Sequence, residues 1–459
     1  MNSLRGGLRA AFLFAKDRLS LFCGFQQRLF SVSQCITVLC SAPSYIDLIH
    51  LRTNRLTPCL LIMALGLAAS LWGAASNAQT LVLVSIDGFR WDYLDWPEAT
   101  NMRAIAAEGS RVTKLRTVYP SKTFPGHLSI ATGLHPTEHG VIDNYFCRSD
   151  RSDCYSMGEG RKDPSWLAGI PIWTLVEQHG GRASTFFWPE SDAPFANTLP
   201  TDYRAFDGRV PHRERVQQVV DWLSLPPKQR PELVTLYFSV VDSTSHSFGP
   251  AAPATLSAII EVDRQIEVLW QAIKSINTQQ DADINLMLVS DHGMSEVDPN
   301  LFIDTNALPR PKGFKRVNGS TRVTYYQRDP DADIDALEGA LDRMSEGRWK
   351  RLSSSDLAER HFDNHPGVGD IIIETAPPRV FRRGGGKDPG LRGMHGYPAS
   401  VEDMAAFLVA VGPQFQVGKV IPEAHQLEVY PVAATLLDLS LPDNIASDGG
   451  PLRAILRAP

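Results

Sequence analysis

The sequence predicts an α/β fold with a mostly parallel central sheet flanked by helices. Three observations predict it. Residues 81–86, 234–241 and 284–290 are continuous apolar runs of strand length, the pattern of strands buried on both faces in a parallel sheet. Helical stretches lie between them; in residues 254–276, Ile259, Val262, Ile266, Leu269 and Ile273 fall on one face. Each run also ends at an aspartate: Asp87, Asp242 and Asp291. The carboxyl ends of parallel strands form the ligand-binding edge of an open α/β sheet.

The elements follow in order. Residues 56–72 are apolar, preceded by Arg52 and Arg55 and followed by Ser76, Asn77 and Ala78. A basic flank, a short apolar core and small residues at the −3 and −1 positions make a secretory signal peptide cut before Gln79. Residues 1–78 are therefore expected to be a leader, with residues 1–50 an extended n-region or a start set too early. Residues 79–459 are expected to be the functional domain. The apolar run is short for a spanning helix, so no stable membrane anchor is expected once the leader is removed. The expected location is exported, periplasmic or secreted. Of six Cys, only Cys147 and Cys154 fall after residue 78. In an exported protein that pair is expected to form a disulfide.

A helix is expected over 100–108, capped by Thr100 and stopped by Gly109. Strands are expected at 183–188, 322–327, 369–374 and 405–411, and helices at 212–224 and 254–276. There are no repeats and no low-complexity linker. Arg382, Arg383, Gly384, Gly385, Gly386 and Lys387 read as a surface loop. Residues 79–459 hold 38 Lys and Arg against 49 Asp and Glu, a net charge of −11. With no basic field for counterion release, a nucleic-acid polymer is not an expected partner. Small phosphorylated substrates remain open, because metal ions supply local positive charge.

Three carboxylates on one edge repel unless cations lie between them. His246 follows Asp242 by four residues, and His292 follows Asp291 directly. Asp and His ligands together suit a zinc-type ion. Between the first two aspartates, Thr123 begins a helical segment with Pro125 in its first turn and Gly133 at its end. Alone, Thr123 reads as a cap. Beside a metal, a hydroxyl at a helix N-terminus can lose its proton and attack phosphorus.

The blocks SIDGFR at 85–90, YPSKTFPGH at 119–127, TGLHPTEHGVIDN at 132–144, GIPIW at 169–173, FWPESD at 187–192, DSTSHSFGP at 242–250, SDHGM at 290–294 and MHGY at 394–397 carry a resemblance. In this order they resemble the nucleotide pyrophosphatase/phosphodiesterase family of the alkaline phosphatase superfamily. The resemblance covers nearly all of residues 79–459. It implies an alkaline-phosphatase-like sheet with inserted loops and a small subdomain. It implies two zinc ions per chain, one held by Asp87, Thr123, Asp291 and His292, the other by Asp242, His246 and His395. His395 is identified by the resemblance alone.

The resemblance further implies that Thr123 is the nucleophile and forms a threonyl-phosphate ester. Asn144 and the nucleophile's backbone N–H would hold a phosphoryl oxygen. Phe124 and Tyr203 would face a nucleotide base, and the product would be a nucleoside 5′-monophosphate; Tyr237, five residues before Asp242 on the strand running toward the site, is a further candidate by position. Thr at the nucleophile and the apolar Phe124 beside it suit a phosphodiester better than a monoester. Glu190 stands where many members have Gly, which changes the local shape expected of the site. The competing expectations are a choline-phosphodiester or phosphonate hydrolase on the same scaffold, and a non-catalytic metal-binding protein. The intact ligand positions and Thr123 argue against the last.

Overall fold

Alternate residues of the first strand face two different cores. In Thr80–Ile86 every residue is buried. Leu81 and Leu83 pack into one apolar cluster, and Val82, Val84 and Ile86 into another. Period-two side chains on an unbroken apolar run give this result, with both faces of the sheet covered. The computed structural model describes residues 79–384 and 390–458. The leader expected over 1–78, and residues 385–387 of the glycine-rich loop, lie outside the described residues.

The large sheet has eight strands, numbered here in chain order: β1 Thr80–Ile86, β2 Ser110–Arg116, β3 Ala183–Phe186, β4 Asp202–Arg204, β5 Leu233–Phe238, β6 Ile284–Val289, β7 Ala406–Val411 and β8 Lys419–His425. Their spatial order is β8-β2-β7-β6-β1-β5-β3-β4. All pairings are parallel except those of β7, which runs antiparallel to both β6 and β2. The sheet is therefore mostly parallel, as the sequence predicts.

Helices cover both faces. Thr100–Glu108, His212–Leu223 and Pro253–Gln280 supply one core. Thr123–Thr132, Ile172–Gln178 and Val429–Leu436 supply the other. The predicted stripe on the long helix is its buried face, including Ile259, Val262, Ile266, Leu269 and Ile273. Among the described residues, no helix is long and apolar enough to cross a membrane.

A second, antiparallel sheet of Phe314–Asn318, Arg322–Gln327, Ile371–Glu374 and Lys350–Arg351 has its own core around Val323, Tyr325, Ile371 and Ile373. It is the small subdomain the resemblance implies. Cys147 and Cys154 are bonded and join the hairpin Tyr145–Cys147 to Cys154–Ser156.

Several local expectations need correction. Thr100 does not cap its helix; Ala99 holds the cap position, and the Thr100 hydroxyl donates to Pro97 O at 2.8 Å. The 234–241 run stops being a strand at Phe238, and Val240, Val241 and Asp242 open the helix Val240–Phe248. Burial explains the error, because an apolar helical start inside a core has no alternation to betray it. Strands β2, β4 and β8 were not expected. Each is short or mixes polar with apolar residues, and long-range pairing rather than local pattern makes them strands.

Candidate active site

The sheet edge collects the three carboxylates. Asp87 follows β1 directly and Asp291 follows β6 by two residues, both buried. Asp242 comes from the first turn of Val240–Phe248 instead of a strand end, which puts His246 one turn further on the same helix. Two glycines allow the close approach. Gly88 has φ +67°, and a Cβ there would meet Asp242 at 3.0 Å; a Cβ on Gly126 would meet Asp291 O at 2.9 Å.

Six of the ligand candidates converge by short contacts. His292 Nε2 lies 2.9 Å from Asp291 Oδ2 and 3.5 Å from Asp87 Oδ1. Asp242 Oδ1 lies 3.3 Å from His246 Nε2 and 3.5 Å from His395 Nε2. Each imidazole is fixed from behind: Nδ1 of His246, His292 and His395 lies at 2.8–2.9 Å from the carbonyls of Gly393, Gly293 and Ser121. A carbonyl only accepts, so Nδ1 carries the proton and Nε2 keeps a lone pair for a ligand. Nε2 then cannot donate to the nearby carboxylates. Asp87 Oδ1, Asp242 Oδ1 and Asp291 Oδ2 are accordingly buried without a hydrogen-bond partner.

That donor set fits cations. Asp242, His246 and His395 can form one ligand group, and Asp87, Asp242 and His292 another. Burial, then the charges of Asp291 and Asp242, push the Asp87 carboxyl well above the usual range. Bound cations reverse this. Asp242 belongs to both groups, a sharing the sequence did not indicate. Asp291 is steadied by the Gly88 N–H, which donates to its Oδ1 at 3.2 Å.

Thr123 is the first residue of its helix and not the cap. Lys122 holds the cap position in extended geometry, with no side-chain cap bond. The Thr123 hydroxyl is thereby left for other work, and lies 3.4 Å from His292 Nε2. One turn later, His127 Nδ1 bonds Thr123 O at 2.8 Å, and its Nε2 meets Ser85 Oγ at 2.8 Å. Asn144 Oδ1 accepts from Phe124 N at 3.0 Å, which places Asn144 beside Thr123.

The three aromatics divide. Phe124 is half-buried, with its ring 6.5 Å from Tyr155. Tyr237 is corrected: it is buried, and its hydroxyl donates to Asp87 Oδ2. Its hydroxyl fixes the Asp87 carboxylate, and its buried ring presents no stacking face. Tyr203 lies on edge strand β4, paired with Thr185, and no hydrogen bond or ring contact among the described residues ties it to Thr123 or Phe124. Phe206, which sequence reasoning passed over, brings an exposed ring to 6.0 Å from Tyr237. Glu190 packs inward beside Tyr155. It is buried at φ +60° and accepts from the Tyr155 hydroxyl.

Sequence reasoning also missed a buried ion-pair triad. Lys122 Nζ lies 2.7 Å from Asp143 Oδ1, and Arg322 reaches Asp143 Oδ2 at 2.6 Å. Burial opposes the Asp143 charge, but Lys122 and Arg322 outweigh it and hold the carboxyl below its usual range. Lys122 and Asp143 flank Thr123 and Asn144 in sequence with opposite charge, which was the available signal. Nothing local to Arg322 marks it.

The family model for type I phosphodiesterase/nucleotide pyrophosphatase matches residues 81–398. The chain belongs to this family. Venom phosphodiesterase of Macrovipera lebetinus is 30% identical over 388 residues, which are 83% of this chain and 45% of that protein. Human ectonucleotide pyrophosphatase/phosphodiesterase family member 1 is 31% identical over 404 residues, 84% of this chain and 43% of that protein. The chain thus spans less than half the length of these curated relatives. The solved structure of murine ectonucleotide pyrophosphatase/phosphodiesterase 5 shares the fold, with TM-score 0.75 at 24% identity over 83% of this chain and 100% of that one. An inactive threonine-to-alanine variant of that murine protein has been solved in complex with AMP.

Proposed function

We propose that this family member is a two-zinc phosphodiesterase and pyrophosphatase that cleaves nucleotide phosphodiester or phosphoanhydride bonds and releases nucleoside 5′-monophosphates. One observation carries the reading: the Thr123 hydroxyl at a helix start lies 3.4 Å from His292 Nε2, in a cluster where Asp87, Asp242 and Asp291 each keep a buried oxygen without a hydrogen-bond partner. Asp87, Asp291, His292 and Thr123 would hold one ion and Asp242, His246 and His395 the other, with Asp242 close enough to serve both. When bound, the two ions supply the positive charge that acidifies the attacking group and offsets charge on the phosphoryl group in flight.

The chain's own groups do the rest. Thr123 Oγ1 loses its proton, attacks phosphorus and expels the leaving oxygen, which is protonated from solvent. The resulting ester links Thr123 to the phosphoryl group that still carries the nucleoside. Water then attacks phosphorus, the bond to Oγ1 breaks, and Thr123 regains a proton. Asn144, steadied through Phe124 N, donates an amide N–H to a phosphoryl oxygen. Phe124 offers an apolar ring beside the nucleophile for a base, with Tyr203 and Phe206 as further candidates. Export fits the same reading, since the bonded Cys147–Cys154 pair belongs to an oxidising compartment, periplasmic or secreted.

The test is a nucleotide p-nitrophenyl ester assayed with wild type, Thr123→Ser and Thr123→Ala. The Ser variant should keep partial activity and the Ala variant should bind metal without turnover. Acid-quenched wild type should carry the nucleotidyl mass on the peptide containing Thr123. A fully active Ala variant would sink the reading, and a preference for p-nitrophenyl phosphocholine would transfer it to choline diesters.

A further inference from the structure

We infer that Arg322 is a positioning residue for turnover: from the small antiparallel sheet it fixes, through Asp143, the amide of Asn144 that receives the phosphoryl group. This rests on the phosphodiesterase reading above and gives the second sheet a part in the chemistry.

Asp143 is the fixed point. Its Oδ1 accepts from Lys122 Nζ at 2.7 Å and from the Asn144 backbone N–H at 2.7 Å. Its Oδ2 accepts from Arg322 Nε at 3.0 Å and Nη2 at 2.6 Å. The same Nη2 donates to Ile142 O at 3.1 Å. The chain is thus held at three successive places: the Ile142 carbonyl, the Asp143 carboxylate and the Asn144 N–H. This segment also brackets Thr123. Lys122, just before the nucleophile, reaches Asp143, and the Phe124 N–H, just after it, donates to Asn144 Oδ1 at 3.0 Å. The carboxamide is planar, so committing Oδ1 sets where its two N–H donors lie.

The anchor is stiff. Arg322 opens the strand Arg322–Gln327 and is buried. Its guanidinium lies 4.7 Å from the ring centre of Phe362 and 5.7 Å from that of Tyr119. Glu374, its partner across the strands, accepts from the Tyr119 hydroxyl and pairs with Arg360 at 2.8 Å. Charge balance does not require Arg322. Lys122 already neutralises Asp143, and a further buried cation costs desolvation. What Arg322 adds is its fork: Nε and Nη2 grip the carboxylate while Nη2 also holds Ile142 O, a geometry an ammonium on a flexible stem does not reproduce. Because Asp143 keeps Lys122 when Arg322 is replaced, the loss falls on orientation.

The test is a double-mutant cycle. The full zinc-loaded chain is assayed on thymidine 5′-p-nitrophenyl phosphate as wild type, Arg322→Lys, Arg322→Met, Asn144→Ala and each Arg322 change combined with Asn144→Ala. That leaving group carries no phosphate, so attraction between Arg322 and an anionic leaving group does not enter. Asn144→Ala should lower kcat by about 10²–10³-fold, as loss of one such donor does. Arg322→Met and Arg322→Lys should each lower kcat about tenfold or more, with KM within about twofold of wild type, and neither should lower it further in the Asn144→Ala background. Arg322→Lys carries the cycle where Arg322→Met does not fold. In metal-free Arg322→Lys, amide hydrogen exchange should speed up at Phe124 and Asn144 and stay as in wild type in the strands of the large sheet. Unchanged kcat in the Arg322 variants, multiplicative losses in the double variants, a loss confined to KM, or faster exchange throughout the large sheet overturns the inference and makes Arg322 scaffold. Asn144→Ala turning over like wild type, or a wild type that does not cleave the ester, overturns the parent reading instead.

Discussion

His292 and His395 stack face to face, with ring centroids 3.5 Å apart and planes 11° from parallel. They come from chain segments a hundred residues apart, yet each is held by a backbone carbonyl at Nδ1 and turns Nε2 toward the carboxylates. Two imidazolium rings would repel at this distance, so the stack is an arrangement for neutral, metal-ready histidines.

The first prediction concerns the shared ligand. Asp242 reaches both ligand groups, whereas His246 reaches one. Asp242→Ala should lose metal from both positions, and His246→Ala from one. Elemental analysis of gently purified protein should give two zinc ions per chain for wild type, about one for His246→Ala and less than one for Asp242→Ala. Equal losses would show that Asp242 does not bridge.

Tyr237 gives a second prediction. Its hydroxyl donates to Asp87, and its ring packs against His127 at 5.2 Å. Tyr237→Phe keeps the packing and removes only the hydrogen bond. Removing such an outer partner typically costs 10–100-fold in metal affinity or activity. Chelator competition should therefore show weaker zinc retention in Tyr237→Phe with a thermal midpoint, measured without metal, close to wild type. If the residue were a base-stacking platform, the Phe variant would behave as wild type in both assays.

Aromatic contacts to the base supply a third. Stacking contributes roughly 1–3 kcal/mol per base. Phe124→Ala and Phe206→Ala should each raise KM for nucleotide substrates, by about tenfold, and leave bis(p-nitrophenyl) phosphate nearly unaffected. Tyr203→Ala, on the edge strand, tests the remaining candidate by the same comparison. A parallel loss on both substrates would mark these rings as scaffold.

Glu190 makes a fourth, through pH. Burial is the main cause that lifts its carboxyl from 4.5 to about 7, against the opposing hydrogen bond from Tyr155. Below pH 4.5 the group is protonated in both states and costs nothing. Between 4.5 and 7 the unfolded chain releases the proton and the folded one keeps it, so stability falls as pH rises. The loss saturates above pH 7 at about 3 kcal/mol. Urea unfolding at pH 5 and pH 8.5 should show Glu190→Gln gaining on wild type at the higher pH. A difference independent of pH would show that Glu190 is ionised throughout.

Most of the fold and the ligand set were legible because they rest on local patterns. Unbroken apolar runs of strand length mark doubly covered strands, and an Asp near the end of each marks the binding edge. The exceptions have physical reasons. Asp242 was placed at a strand end because the first turn of its helix is as apolar as the strand before it. Strands β2 and β8 hide because their pairing partners lie far away in sequence. His395 has no distinguishing neighbours and was reached only through the MHGY block. Tyr237 was misjudged because residue type alone does not reveal whether an aromatic offers its ring or its hydroxyl. Arg322 joins Asp143 across 179 positions, a distance no sequence pattern reports.

The single antiparallel strand has a consequence for how this scaffold can be altered. Strand β6 ends at the catalytic rim and β7, running the other way, starts there. Residues 290–405 therefore form one excursion that leaves and re-enters the same rim, clasped at its base by the stacked His292 and His395. The small antiparallel sheet, with Arg322, lies within that excursion. It is a cassette: its outer part can be shortened, lengthened or exchanged without re-threading any strand of the large sheet. Variation there would leave Thr123, Asp87 and Asp242 on the unaltered frame.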